Sequence, residues 1–169
     1  LKKKYDVYVW NRTLEKAQSL LGDLTKNICK FDFNELEKEI IAGDVIISML
    51  PASHHLDIAK LCLKKNANFI SSSYISEELQ ELNSDVKKQG LVFLNEVGLD
   101  PGIDHLMAHD LVKQYKESYN YSDDNTIEFY SFCGGIPKKP NEFCYKFSWS
   151  PLGVLKALKS PAKSIEEFN

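Results

Sequence analysis

The sequence contains a single arginine in 169 residues, and a G-x-G-x-x-G run occurs nowhere in it. Lys+Arg total 21 against 24 Asp+Glu, a net charge of -3. That balance argues against a nucleic-acid binder held by phosphate contacts. The lysines alternate with acidic residues, as on solvated helix faces. Long apolar runs are also missing. The longest, Val45-Ile46-Ile47-Ser48-Met49-Leu50, is far short of the roughly 20 residues a spanning helix needs. No apolar secretory segment follows the first residues, so no membrane association is expected. The four cysteines, Cys29, Cys62, Cys133 and Cys144, include no C-x-x-C pair and have no histidine pair at zinc spacing. No metal site is expected from them, and a reducing cytoplasm is the natural compartment.

What is present is a regular alternation. Asp6-Val7-Tyr8-Val9-Trp10 reads as a buried strand. Thr13 is placed to cap a helix through about Leu21, with Gly22 as its left-handed stop. A short strand near 28–31 follows, then a helix with Asp32 and Glu35 at capping-box spacing, ending near Gly43. Asp44 to Met49 reads as a strand covered on both faces. Next come a helix at about 54–65, a strand at Phe69-Ile70, a helix from the Ser76 cap to about Gln89, and a strand at Leu91–Leu94. Strand and helix alternating with short connections implies an α/β fold, a Rossmann-like doubly wound parallel sheet. Ligands of such sheets sit beyond the carboxyl ends of the strands. After Asn95 a helix over Ile103–Lys116 is expected, then a strand over Thr126–Phe132 and a helix started by Ser150-Pro151. This implies a dinucleotide-binding domain at 1–98 and the start of an α+β substrate domain at 99–169.

Four strand ends carry unusual residues. Asn11-Arg12-Thr13 puts an arginine where the second strand of a dinucleotide fold usually ends in an acid for NAD ribose. Arginine there suits the 2′-phosphate of NADP. On this reading the first strand and its glycine turn lie upstream of Leu1, and the chain begins mid-fold; otherwise no dinucleotide is bound. Leu50-Pro51 ends the third strand beside His54 and His55, two histidines that do not share a helix face and read as covering the helix start. Ser71-Ser72-Ser73-Tyr74 places four hydroxyls at a strand end, poor core material and good site lining. Glu96-Val97-Gly98-Leu99-Asp100-Pro101-Gly102-Ile103-Asp104 combines a turn with dense acidity. Cys133 stands before Gly134-Gly135, where the backbone around a thiol is open.

The runs NEVGLDPGIDHLMA (95–108), CGGIP (133–137) and YKFSWSPLGVLKAL (145–158) closely resemble the saccharopine dehydrogenase family, in its glutamate-forming branch. SMLP (48–51), SSSY (71–74) and NRTLEKA (11–17) fall in the matching order, so the resemblance covers nearly the whole chain. It implies an oxidoreductase acting on the CH–NH group of saccharopine, interconverting it with L-glutamate and 2-aminoadipate 6-semialdehyde in lysine metabolism. The implied cofactor is NADP, with NAD as the alternative. Arg12 and Thr13 are implied contacts to the 2′-phosphate and ribose, and Leu50 a residue of the nucleotide crevice. Ser72, Ser73 and Tyr74 are implied to be shared by nicotinamide and substrate, as are Leu99, Asp100 and Pro101. Asp100 and Cys133 are implied to lie near the reacting centre. Later substrate-domain contacts of the family, including an arginine for a substrate carboxylate, have no counterpart here, so this stretch alone is expected to be inactive. The expected partner is a small amino-acid substrate, with a homodimer of the full-length protein open. Two rivals are a relative condensing other amines, such as carboxynorspermidine synthase, and a non-catalytic nucleotide-sensing domain.

Overall fold

The computed structural model describes residues 5–147, 150–159 and 161. It divides into two compact units, Leu1–Asn120 and Tyr121–Asn169. In the first unit β1 (Val9–Asn11), α1 (Leu14–Leu21), β2 (Ile28–Lys30), α2 (Phe33–Glu39) and β3 (Val45–Ser48) alternate as expected, but β1 is shorter than the buried strand expected at 6–10 and none of its residues is buried. A 3-10 turn at Ala52–His54 leads into α3 (His55–Lys64), followed by β4 (Asn68–Ser71), α4 (Glu77–Glu81), α5 (Asn83–Lys88), β5 (Phe93–Leu94) and α6 (Ile103–Lys116).

All strand pairs are parallel. They form two sheets, β1-β2 and β3-β4-β5. Counted as strands two to six of the order 3-2-1-4-5-6, these are the pieces 3-2 and 4-5-6. Each piece has the strand neighbours and the parallel direction of the doubly wound type.

The core lies on one face of the larger sheet. Ile46 pairs with Phe69 and Ser48 with Ser71 in register. Phe69 is fully buried and packs on Phe93 with ring centroids 5.6 Å apart. Helix α3 covers this face with Ile58, Ala59, Leu61 and Cys62, all buried. Each large apolar side chain removed from water here stabilises by about 1.5–3 kcal/mol. The opposite face is open: Val45 and Ile47 stay 55% and 57% exposed. The expectation that β3 is covered on both faces is corrected, because among the described residues helix packing reaches only the Ile46/Ser48 side.

Local chemistry explains most element ends, and corrects several. Asp32 Oδ1 accepts from the backbone N–H groups of Asn34 and Glu35, starting α2. That helix ends at Glu39, short of Gly43. Thr13 occupies the N-cap of α1 but makes no side-chain cap bond. Asn11 Oδ1 accepts from the Thr13 N–H at 2.9 Å, an Asx turn that leads the chain into α1. Gly22 is right-handed, with φ -60°, so it does not end α1 through the left-handed conformation. Ser76 caps α4, and the helix expected to run to Gln89 is broken at Leu82 into α4 and α5.

In the second unit, α7 (Pro151–Ala157) begins as expected, with Ser150 Oγ accepting from the Gly153 N–H at 3.1 Å. The expected strand at Thr126–Phe132 is absent; these residues are irregular, and Tyr130 and Phe132 are 72% and 91% exposed. Alternation suits a sheet surface only when a partner strand exists, and none pairs with this segment among the described residues. Ser148 and Trp149 of the K-F-S-W-S run lie outside the described residues.

Candidate functional site

The first strand end presents Arg12 on an exposed turn immediately after β1. Its guanidinium makes no ion pair among the described residues, whereas the lysines Lys38, Lys64, Lys88 and Lys113 all pair with carboxylates. Asn11 holds the turn that displays it. An unpaired, permanently charged fork beside an uncommitted Thr13 hydroxyl is a donor set suited to a phosphate monoester.

The larger group gathers at the carboxyl ends of β3, β4 and β5. The Ser71–Tyr74 run does not act as one lining: each hydroxyl has its own assignment. Ser71 is buried and donates to Asn95 Oδ1 at 3.1 Å, tying β4 to β5. Ser73 Oγ lies 2.8 Å from His55 Nε2. Tyr74 donates its phenol O–H to Asp100 Oδ1 at 2.8 Å. Ser72, half-exposed, makes no side-chain bond among the described residues. The bond to Asp100, then partial burial and the nearby carboxylates, push the Tyr74 phenol up to about 12. Tyr74 is therefore a proton-bearing donor at neutral pH.

The loop bearing Asp100 is tightly built. Gly98 N–H donates to the Pro101 carbonyl and Ile103 N–H to the Gly98 carbonyl, each at 2.9 Å. Asp104 Oδ1 accepts from Gly102 N–H at 2.7 Å, closing the turn into α6. Leu99 and Asp100 face solvent while Pro101 is buried beneath them. Gly98 sits against Ser72: a Cβ there would lie 3.2 Å from the Ser72 Cβ. The two segments singled out from sequence thus meet in space, through Gly98 against Ser72 and Asp100 bonded to Tyr74.

Three residues take roles at this site that their places in the sequence did not indicate. Asn95 anchors Ser71. Glu96 adopts φ 61°, a conformation side chains disfavour. It is held there by its N–H to the Ser73 carbonyl and by its carboxylate accepting from Ile75 N–H at 3.2 Å. His55 is the third. It does not cover the helix start; it is 2% exposed and lies between Ser48 Oγ, 2.9 Å from Nδ1, and Ser73. A histidine adjoining a Ser-rich strand end was the available signal, but its direction depends on α3 packing against β3 and β4.

Burial, then the neighbouring His54, lowers the His55 pKa from its ordinary 6.5. Above that value both folded and unfolded chains hold it neutral. Below it the unfolded chain takes up a proton that the folded chain refuses, so stability falls as pH drops from about 6.5 through the lowered folded pKa. Denaturant unfolding between pH 7.5 and 5 is expected to show this loss, and His55→Gln should flatten that part of the slope. Equal slopes in the two proteins would show that His55 titrates normally.

Leu50 is half-buried and packs on the core as the floor of this region. Cys133 is in the second unit and exposed. The hollow lined by Phe33, Glu37, Asp57, Lys60, Leu61 and Lys64 lies on the flanks of α2 and α3 and holds none of the anticipated site residues. Among the described residues no cluster of His, Cys, Asp and Glu is arranged to hold a metal ion. No helix among them is long and apolar enough to cross a membrane.

Two family profiles match the chain: "Saccharopine dehydrogenase NADP binding domain" over residues 1–94 and "Saccharopine dehydrogenase C-terminal domain" over residues 98–168. The chain belongs to the saccharopine dehydrogenase family. It is 39% identical over 164 residues to the saccharopine dehydrogenase [NADP(+), L-glutamate-forming] of Saccharomyces cerevisiae, covering 94% of this chain and 36% of the yeast protein. It is 36% identical to the mitochondrial alpha-aminoadipic semialdehyde synthase of Rattus norvegicus, covering 96% of this chain and 16% of that protein. The solved structure of the apo yeast saccharopine dehydrogenase (L-Glu forming) superposes with a TM-score of 0.66 at 30% identity, over 94% of this chain and 37% of that one. The chain thus spans little more than a third of its yeast saccharopine dehydrogenase relative.

Proposed function

We propose that the protein carrying this chain interconverts saccharopine with L-glutamate and 2-aminoadipate 6-semialdehyde, using NADP(H). The observation that carries this reading is the pairing of two features: an unpaired Arg12 at the β1 end and a Tyr74–Asp100 hydrogen bond at the β4–β5 end. They sit at the places where a doubly wound sheet takes its nucleotide and its substrate.

The residues fit the cofactor at its two ends. Arg12 and Thr13 would hold the 2′-phosphate and ribose, and Arg12 decides for NADP over NAD. Leu50, Ser72, Ser73 and Tyr74, with Leu99, Asp100 and Pro101, would border the nicotinamide. When bound, the cofactor supplies the two-electron chemistry at the substrate C–N bond. The chain's own task is positioning and proton management. Tyr74, kept protonated, donates to Asp100 and fixes its carboxylate, leaving Oδ2 to orient the substrate amine or take a proton from water. Ser73 and Tyr74 are proposed as substrate contacts alongside Asp100. Cys133 is proposed to shape the substrate pocket, and residues 99–169 to begin the substrate domain that follows a nucleotide domain at 1–98. The cytoplasm, which keeps thiols such as buried Cys62 reduced, is the proposed compartment.

Arg12→Ala is the test. Losing a bidentate, charge-assisted phosphate contact is expected to weaken NADPH by on the order of 100-fold and NADH by less than about threefold. Binding titrations with both nucleotides on the whole protein measure this. An unchanged preference would overturn the phosphate role of Arg12.

A further inference from the structure

The hydroxyls of Ser48 and Ser73 reach the two ring nitrogens of His55, and the burial of this line fixes which atom donates at each step. Ser48 is 4% exposed and His55 2% exposed. Among the described residues the only side-chain partner of Ser48 Oγ is His55 Nδ1, at 2.9 Å. A neutral imidazole has one donor and one acceptor nitrogen. If Nδ1 carried the proton, it would donate to Ser48, and the Ser48 hydroxyl proton would be sealed in the interior with no acceptor. Buried donors are rarely left so. The satisfied arrangement has Ser48 donating to a bare Nδ1, which places the ring proton on Nε2. Nε2–H then donates to Ser73 Oγ, 2.8 Å away.

The consequence falls on Ser73. With one lone pair occupied by His55, its own hydroxyl proton has no acceptor among the described residues. Ser73 is half-buried at the end of β4, one residue before the Tyr74–Asp100 pair. Its backbone is held in place, because its carbonyl accepts from Glu96 N–H at 3.1 Å. We infer that His55 is a positioning residue: it holds Ser73 as a directed hydrogen-bond donor toward an acceptor oxygen on the bound ligand. Two sources offer such an oxygen, the carboxamide of the nicotinamide and a carboxylate of the amino-acid substrate. The line ends at buried Ser48, which has no onward side-chain partner among the described residues, so it orients a hydroxyl and does not shuttle protons to solvent. The lowered His55 pKa agrees with a ring that stays neutral. This inference rests on the NADP(H)–saccharopine reading only for the identity of the ligand.

The tautomer is read first, without ligand, on the whole protein labelled with ring-15N histidine, the His55 signals being assigned by their loss in His55→Gln. The expected pattern is a protonated Nε2 and a bare Nδ1. A protonated Nδ1, or an imidazolium at neutral pH, would overturn the inference. Binding then reads the positioning. Ser73→Ala is expected to weaken either NADPH or saccharopine by about tenfold, the cost of one hydrogen bond. A loss in the NADPH titration assigns the oxygen to the cofactor; a loss confined to the saccharopine KM assigns it to the substrate. No loss in either overturns the proposal.

His55→Gln carries an amide that can reach Ser73 as Nε2 does, and should bind within about threefold of the parent protein. His55→Asn reaches only toward Ser48 and should lose about as much as Ser73→Ala. In the double variant His55→Asn/Ser73→Ala the loss should not exceed that of Ser73→Ala, since one acts through the other. Additive losses would reduce His55 to a packing residue. If NADPH preference survives Arg12→Ala while the His55 tautomer and coupling hold, the phosphate role of Arg12 falls and this inference stands.

Discussion

Asp100→Ala in the whole protein is expected to lower kcat by on the order of 10²- to 10⁴-fold, the span that a positioned acid–base group contributes. The fold should survive, because Asp100 is exposed and, among the described residues, its side chain bonds only the Tyr74 phenol. That phenol supplies an internal check on the same variant. Its pKa stands at about 12 chiefly because of the bond to Asp100, against an ordinary 10.0. Removing the carboxylate should bring the Tyr74 titration, followed by ultraviolet absorbance, down toward 10. Asp100→Asn keeps an acceptor for the phenol and loses the charge, so it should retain geometry and still lose turnover. Turnover near the parent value in both variants would sink the catalytic proposal for Asp100, whatever happens to Tyr74.

Gly102→Ala carries the largest expected effect on stability. Gly102 has φ 146°, a backbone region that side chains avoid. A Cβ there would sit 2.6 Å from the Gly98 nitrogen and 2.8 Å from the Glu96 carbonyl oxygen, both backbone atoms that cannot swing aside. The loop must open, breaking the bonds from Gly98 N–H to Pro101, Ile103 N–H to Gly98 and Gly102 N–H to Asp104. Three hydrogen bonds at about 1 kcal/mol each, with the strain added, amount to roughly 3–5 kcal/mol. Gly43→Ala is the comparison. It also has positive φ, at 89°, yet nothing lies within 4 Å of its added Cβ, so only backbone strain of about 1 kcal/mol is expected. Chemical denaturation of both variants measures the difference. Equal losses would show that the Gly98–Gly102 turn is not the close-packed unit described here. Opening of the turn should also release Tyr74 from Asp100, so the phenol pKa falls in Gly102→Ala and stays high in Gly43→Ala.

Several features were legible residue by residue because their cause is local. The span of α6, from Ile103 to Lys116, follows from helix-forming residues between a glycine turn and a polar loop. Asp32, Ser76 and Ser150 cap helices because a short oxygen-bearing side chain reaches the free N–H groups two or three residues on. The parallel sheet follows from the alternation, since strands joined through helices return in the same direction. Other expectations failed where the deciding partner lay elsewhere in the chain. Thr126–Phe132 has the period of a strand, but a strand exists only when another backbone takes up its hydrogen bonds. Thr13 has the identity and the position of a cap, yet its hydroxyl makes no bond to a helix N–H.

The scarce arginine and the missing glycine turn define the same division. By itself the sequence determined the fold class, the order of elements and the strand ends at which Arg12, the serine–tyrosine run and Asp100 stand. Those follow from periodicity, capping and turn chemistry, all of which act over a few residues. Only the tertiary structure decided that Tyr74 reaches Asp100, that Ser71 turns inward to Asn95, and that His55 lies between Ser48 and Ser73. These pairs are 7 to 26 residues apart in the chain. What joins them is the packing of α3 on β3 and β4 and the register of β4 with β5. Register is a property of two strands at once, and no single stretch of residues contains it.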